Sequence, residues 1–122
     1  MKKLIFCVFI FLFLGVDATA ATEVRVLKND LACDADGILA KYYKFLKQGD
    51  KEAADQWAAA AIAMGRCVYF SAGEKVFVEE VCGGSWLPSK HYTVKIRRKG
   101  SISGYCIVDG SVSSEWNPDV RR

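Results

Sequence analysis

The stretch Ala58-Ala59-Ala60-Ala61-Ile62-Ala63-Met64-Gly65-Arg66-Cys67-Val68-Tyr69-Phe70 changes its period at Gly65. Before the glycine, Ala54, Trp57, Ala58, Ala61 and Ile62 recur on one side of a helix spanning about 51–64. After it, Cys67 to Phe70 reads as a strand that ends in the turn Ser71-Ala72-Gly73. A chain that passes from a period of 3.6 to a period of 2 joins a helical part to a sheet part, so the expected class is α+β.

Upstream, Gly49 stops an earlier helix and Asp50 caps the one just described. The earlier helix, about 35–48, gathers Ile38, Leu39, Tyr42, Tyr43 and Leu46 on one face, with Asp34 or Asp36 as its cap. Lys41, Lys44 and Lys47 fall largely off that face. So short a joint makes the pair an antiparallel hairpin, and the alanines let the helices approach closely. Thr22 to Leu27 alternates as a short strand or an extended arm.

Downstream, Lys75 to Cys82 alternates, and Gly83-Gly84-Ser85 interrupts it before the loop Trp86-Leu87-Pro88-Ser89-Lys90. His91 to Arg97 is a strand with Tyr92, Val94 and Ile96 inward and Thr93, Lys95 and Arg97 outward. Arg98-Lys99-Gly100 forms a hairpin tip, and Ser101 to Val108 returns as the last strand. The tail to Arg122, with Trp116 and Pro118, has no strong period. Short strands joined by tight turns must curl or lie on the helices to bury a face. The expected architecture is an N-terminal α-helical hairpin packed on a small, partly open antiparallel β-barrel.

Met1-Lys2-Lys3, the apolar run Leu4 to Leu14 and the small residues Ala18-Thr19-Ala20 form a secretory signal peptide over 1–20, cut after Ala20. The apolar run falls well short of the roughly 20 residues needed to cross a bilayer. Residues 21–122 then form a single mature domain of about 100 residues in the periplasm or outside the cell. The full chain carries a formal charge of +3, and +2 once Lys2, Lys3 and Asp17 leave with the leader. This balance excludes a strongly basic nucleic-acid binder, and the length excludes a multi-domain enzyme.

Cys7 is lost with the leader, which leaves Cys33, Cys67, Cys82 and Cys106. An even number in a short exported chain reads as two disulfides. Zinc would need close pairs such as C-x-x-C, and these cysteines are spread widely beside a single histidine. The helical hairpin returns Cys67 to the neighbourhood of Cys33, while Cys82 and Cys106 share a sheet. The expected bridges are therefore Cys33–Cys67 and Cys82–Cys106.

No constellation of catalytic residues stands out, and neither a metal nor a cofactor is expected. His91 lacks a free thiol to activate. Ser-centred elbows and phosphate loops are absent from the sequence. Glu79 and Glu80, adjacent on a strand, are expected on opposite faces. Lys90, Lys95, Arg97, Arg98 and Lys99 concentrate around one hairpin, either as an attractive patch or as a solvated tip that guards the sheet edge. Placing Cys106 and Val108 in the core turns Tyr105 outward, near Trp86 in its loop and Trp116 in the tail. Trp86, His91, Lys95, Arg97, Tyr105 and Trp116 are the expected ligand-binding residues.

Gly73-Glu74-Lys75-Val76-Phe77-Val78, Tyr92-Thr93-Val94-Lys95-Ile96-Arg97 and Gly104-Tyr105-Cys106-Ile107-Val108 together resemble a bacterial SH3-like (SH3b) barrel, over roughly Cys67 to Ser113. The layout, with a cysteine on either side of the helical hairpin, is similar to small exported bacterial proteins of uncharacterised function. The resemblance implies a binding module for cell-wall or peptide ligands rather than an enzyme. Cys82 and Cys106 depart from the usual pattern, as does an isoleucine in place of tryptophan in the last strand. The function expected is an exported, non-enzymatic module engaging an envelope polymer or another exported protein. The alternatives are an inhibitor or immunity protein against a secreted hydrolase, and a small structural subunit of an envelope complex.

Overall fold

The computed structural model describes residues 21–88 and 90–113. The expected signal peptide and Trp116 lie outside the described residues. Two strands come first, β1 (Thr22–Arg25) and β2 (Asp30–Cys33), followed by helices α1 (Asp36–Lys47) and α2 (Lys51–Ala63). Then come β3 (Cys67–Phe70), β4 (Lys75–Gly83), β5 (Thr93–Arg98), β6 (Tyr105–Val108) and a short 3-10 turn at Asp109–Ser111. All strand pairings are antiparallel, in one six-stranded sheet of order β1-β4-β5-β6-β2-β3.

The hairpin is therefore not N-terminal, as expected, but inserted between two neighbouring strands. The reason is β2: Leu31-Ala32-Cys33 is buried from both sides and shows no alternation to betray a strand. Leu31 and Cys33 face the helices, whereas Ala32 faces the opposite core. The last strand is also shorter than expected, because Ile102 stands fully exposed ahead of it.

Two apolar clusters result. One fills the concave side of the sheet with Val24, Phe70, Val76, Val78, Ile96 and Ile107, among others. The second joins the sheet to the helices through Leu31, Cys33, Leu39, Ala58, Ala61 and Cys67. Asp50 caps α2 by accepting a hydrogen bond from the Ala53 amide, 3.0 Å. Ala54, Ala58 and Ala61 are buried, while Ile62 is more exposed than its expected place on that face implies. The Trp57 indole donates to the Ile38 carbonyl oxygen at 3.0 Å and ties the two helices together. Neither Asp34 nor Asp36 caps α1: Ala35 occupies that position, and both carboxylates are engaged elsewhere.

Both expected disulfides are present. Cys33 and Cys67 are directly opposed on β2 and β3, as the hairpin requires. Cys82 and Cys106 lie on β4 and β6 with β5 between them, and their Cα atoms are 6.0 Å apart. Neighbouring strands sit about 4.8 Å apart, so in a flat sheet two strands separated by a third would be roughly twice that distance apart. The sheet thus bends sharply across β5, where β4 carries two bulges. Beyond β6 the chain reaches β1 again: Val26 pairs with Val112, and the Leu27 amide donates to the Ser111 carbonyl.

Candidate functional site

The Trp86 loop follows the end of β4. It folds onto the start of α1, where Asp36 gathers three donors. The Asp36 carboxylate accepts from the Thr93 hydroxyl at 2.7 Å, the Trp86 indole at 3.1 Å and the Gly84 amide at 3.2 Å. The Trp86 ring stacks on Tyr43, centroids 5.5 Å apart. This close approach accounts for the paired glycines: a Cβ on Gly83 would lie 2.8 Å from Asp36 Oδ2, and Gly84 has φ +101°.

Between this loop and the exposed side of α1 runs an open groove of about 1020 Å³. Tyr43, Leu46, Trp86, Leu87 and Pro88 supply apolar surface. Lys41, Lys44 and Lys47 line it from successive turns of the helix. Lys41 lies 4.5 Å over the Trp57 ring. Among the described residues no acid forms an ion pair with any of the three.

Of the expected ligand-binding residues that are described, Trp86 lines this groove and His91, Lys95, Arg97 and Tyr105 do not. His91 is exposed and contacts Asp109, 3.2 Å away. Lys95 pairs with Glu80 at 3.2 Å and Arg97 with Glu79 at 3.1 Å, the Arg97 guanidinium also lying 4.9 Å over Phe77. Glu79 and Glu80 therefore do not point to opposite faces. The bulge between Val78 and Glu80 brings both to cations on one face of β5. Arg98 pairs with Glu74 at 2.8 Å, and that contact holds the Glu74 carboxyl below the usual carboxylate range. The hairpin's positive charge is thus largely matched by β4 and the turn before it.

Tyr105 is turned the other way. It packs on the concave core, edge-on to Phe70 with centroids 6.3 Å apart, so its expected outward orientation is corrected. Both faces of β6 are covered, one by the curled sheet and one by the helices, and alternation cannot then mark an exposed side.

The groove floor is anchored from beneath. The Tyr43 hydroxyl donates to Asp30 Oδ1 at 2.8 Å, and the buried Ser111 hydroxyl donates to Asp30 Oδ2. Burial, then the Asp30 charge and hydrogen bond, push the Tyr43 phenol far above its ordinary value near 10. A raised phenol contributes stability in full below pH 10 and loses it as pH rises past that value. The unfolded chain then releases a proton that the folded one keeps, at about 1.4 kcal/mol per pH unit. On alkaline titration, Tyr43 phenolate absorbance is expected only together with loss of the fold, and Tyr43→Phe should reduce the alkaline instability. Phenolate signals from every tyrosine in a still-folded protein would contradict this.

Arg66 closes the hairpin on the far side. Its Nε lies 2.8 and 2.9 Å from the two Asp34 oxygens, one residue inside the loop that the Cys33–Cys67 bridge closes. Among the described residues no helix is long and apolar enough to cross a membrane, and no group of His, Cys, Asp or Glu is placed to hold a metal. Comparison with protein-family models, curated proteins and solved structures found no match for this chain.

Proposed function

We propose that the protein is an exported, non-enzymatic binding module that engages a cell-wall component or another exported protein. The observation that carries this is the groove between α1 and the Trp86 loop, with apolar walls and three lysines that no described acid neutralises. Charged and aromatic surface left open beside a rigid, disulfide-stapled frame is what a recognition surface needs. Two disulfides suit an oxidising compartment, in keeping with the leader sequence over 1–20. The Val26–Val112 bridge and the bend across β5 favour a small, partly open SH3-like barrel. The binding surface of this reading lies on the helix side and retains Trp86, whereas Lys95 and Arg97 are committed to acidic partners and Tyr105 to the core.

Immobilised protein, incubated with envelope extract from its own host, is expected to retain a wall polymer or a specific exported protein. Retention should fall when Lys44 and Lys47 are both changed to glutamate. Capture of nothing above a blank matrix would sink the proposal. Intact-mass measurement of the native product should find Ala21 first; retention of Met1 would remove the exported compartment from it.

A further inference from the structure

We infer that the groove between α1 and the Trp86 loop takes an acidic peptide segment of another exported protein, one that alternates carboxylates with apolar side chains. The inference rests on the binding-module reading and narrows its partner to one chemical class.

Lys41, Lys44 and Lys47 follow one another at three-residue steps, so their attachment points advance about 4.5 Å each along the helix. Those attachment points span about 9 Å along the helix axis, with the Lys41 ammonium resting over Trp57 of α2. A single phosphate or carboxylate would use one of them. An extended chain with acidic residues at alternate positions reaches both Lys44 and Lys47, because side chains on one edge of an extended segment recur every 6–7 Å and lysine stems are long.

The opposite wall favours a peptide over an acidic glycan. Trp86, Leu87 and Pro88 offer aromatic, aliphatic and proline surface. The polar atoms of the aromatic side chains are already in use: the Trp86 indole is held by Asp36 and the Tyr43 hydroxyl by Asp30. A glycan brings many hydroxyls that would find few partners there and would lose water for little return. Apolar side chains need no such partners, and an aromatic-lined groove is a usual dock for an extended peptide. Nor does the open groove enclose a chain as an acyl-binding cavity would.

The test uses the full mature protein and four probes in fluorescence anisotropy or its competition form. The first is a short labelled peptide alternating glutamate with leucine. Its glutamine analogue, polyglutamate and polygalacturonate complete the set. The alternating peptide should bind, with the glutamine analogue at least about tenfold weaker and added salt weakening the complex. Polyglutamate, lacking apolar side chains, should also bind less well. Lys44→Glu with Lys47→Glu should cost about tenfold or more in affinity while the circular-dichroism spectrum stays that of the parent, the melting temperature falling only by the few degrees that two anions in the last turn of α1 cost. Lys44→Arg with Lys47→Arg should keep the affinity. Polygalacturonate binding as tightly as the peptide, or indifference to the charge reversals, overturns the inference. Failure of both peptides while envelope extract still yields a wall polymer overturns it too, and leaves the broader binding proposal standing.

Discussion

Replacing Cys33 and Cys67 together by alanine is expected to cost about 4 kcal/mol of folding stability, measured by urea denaturation of the oxidised parent and the variant. The bridge closes a loop across a sequence separation of 34, which contains the whole helical hairpin. Cutting it restores to the unfolded chain the freedom that the loop had removed, worth nearly 4 kcal/mol in the chain-entropy description. Both sulfurs are also buried between sheet and helices, with Leu31, Leu39 and Ala61 in the same cluster. Their removal leaves space that neighbours only partly refill. Cys82–Cys106 spans a separation of 24 and has a half-buried end, so its loss should cost less, about 3 kcal/mol.

The pair must be changed together. In the ladder Cys67 faces Cys33, Cys33 faces Cys106, Cys106 faces Lys95, and Lys95 faces Glu80. A single replacement would leave a free thiol beside the other bridge, where thiol–disulfide exchange could reshuffle both. A loss under about 1 kcal/mol for the double variant would mean that the hairpin docks on the sheet without the bridge's help.

The two helices, most of β3 to β5 and both disulfides are legible in the chain because each depends on local signals. Helix period, Gly49, Asp50 and Gly65 mark the hairpin, and the hairpin then determines which cysteines meet. Elements buried on both sides are the ones that escape. β2 is four residues of mixed size with Asp30 at its start, and its strand character appears only when β3 and β6 flank it. β6 alternates between two cores rather than between core and water, so Tyr105 is assigned to the wrong side.

The candidate site was half legible for a different reason. The lysines at 41, 44 and 47 are visibly off the apolar face of α1. What makes them one wall of a groove is a loop 40 and more residues later, folded back by a carboxylate. No periodicity encodes a contact at that separation. The bulges of β4 act similarly: one extra residue turns Glu79 toward Arg97 and cancels a charge that composition alone leaves free.

Asp36→Ala should destabilise the protein by about 3 to 5 kcal/mol, which puts it among the most damaging single changes on this side of the molecule. The carboxylate receives the Thr93 hydroxyl, the Trp86 indole and the Gly84 amide, and Thr93 is wholly buried. Without the acceptor each donor must find water in a space that burial largely denies it, at about 1 to 3 kcal/mol for each donor left unmade. The first turn of α1 also loses a negative charge where the helix dipole favours one. Asp36→Asn keeps size and one acceptor oxygen, so it should cost less, about 1 to 2 kcal/mol, and remain folded enough for binding measurements. Trp86→Ala removes the stacked ring from Tyr43 and should cost about 3 kcal/mol, toward the low end for a buried aromatic because Trp86 is only half-buried. If the carboxylate and the indole act as one clamp, the losses in Asp36→Ala/Trp86→Ala fall short of their sum by 0.5 kcal/mol or more. Strict additivity, or a Trp86→Ala variant that melts with the parent, would show that the loop holds its place by other means. The groove wall would then owe nothing to Asp36.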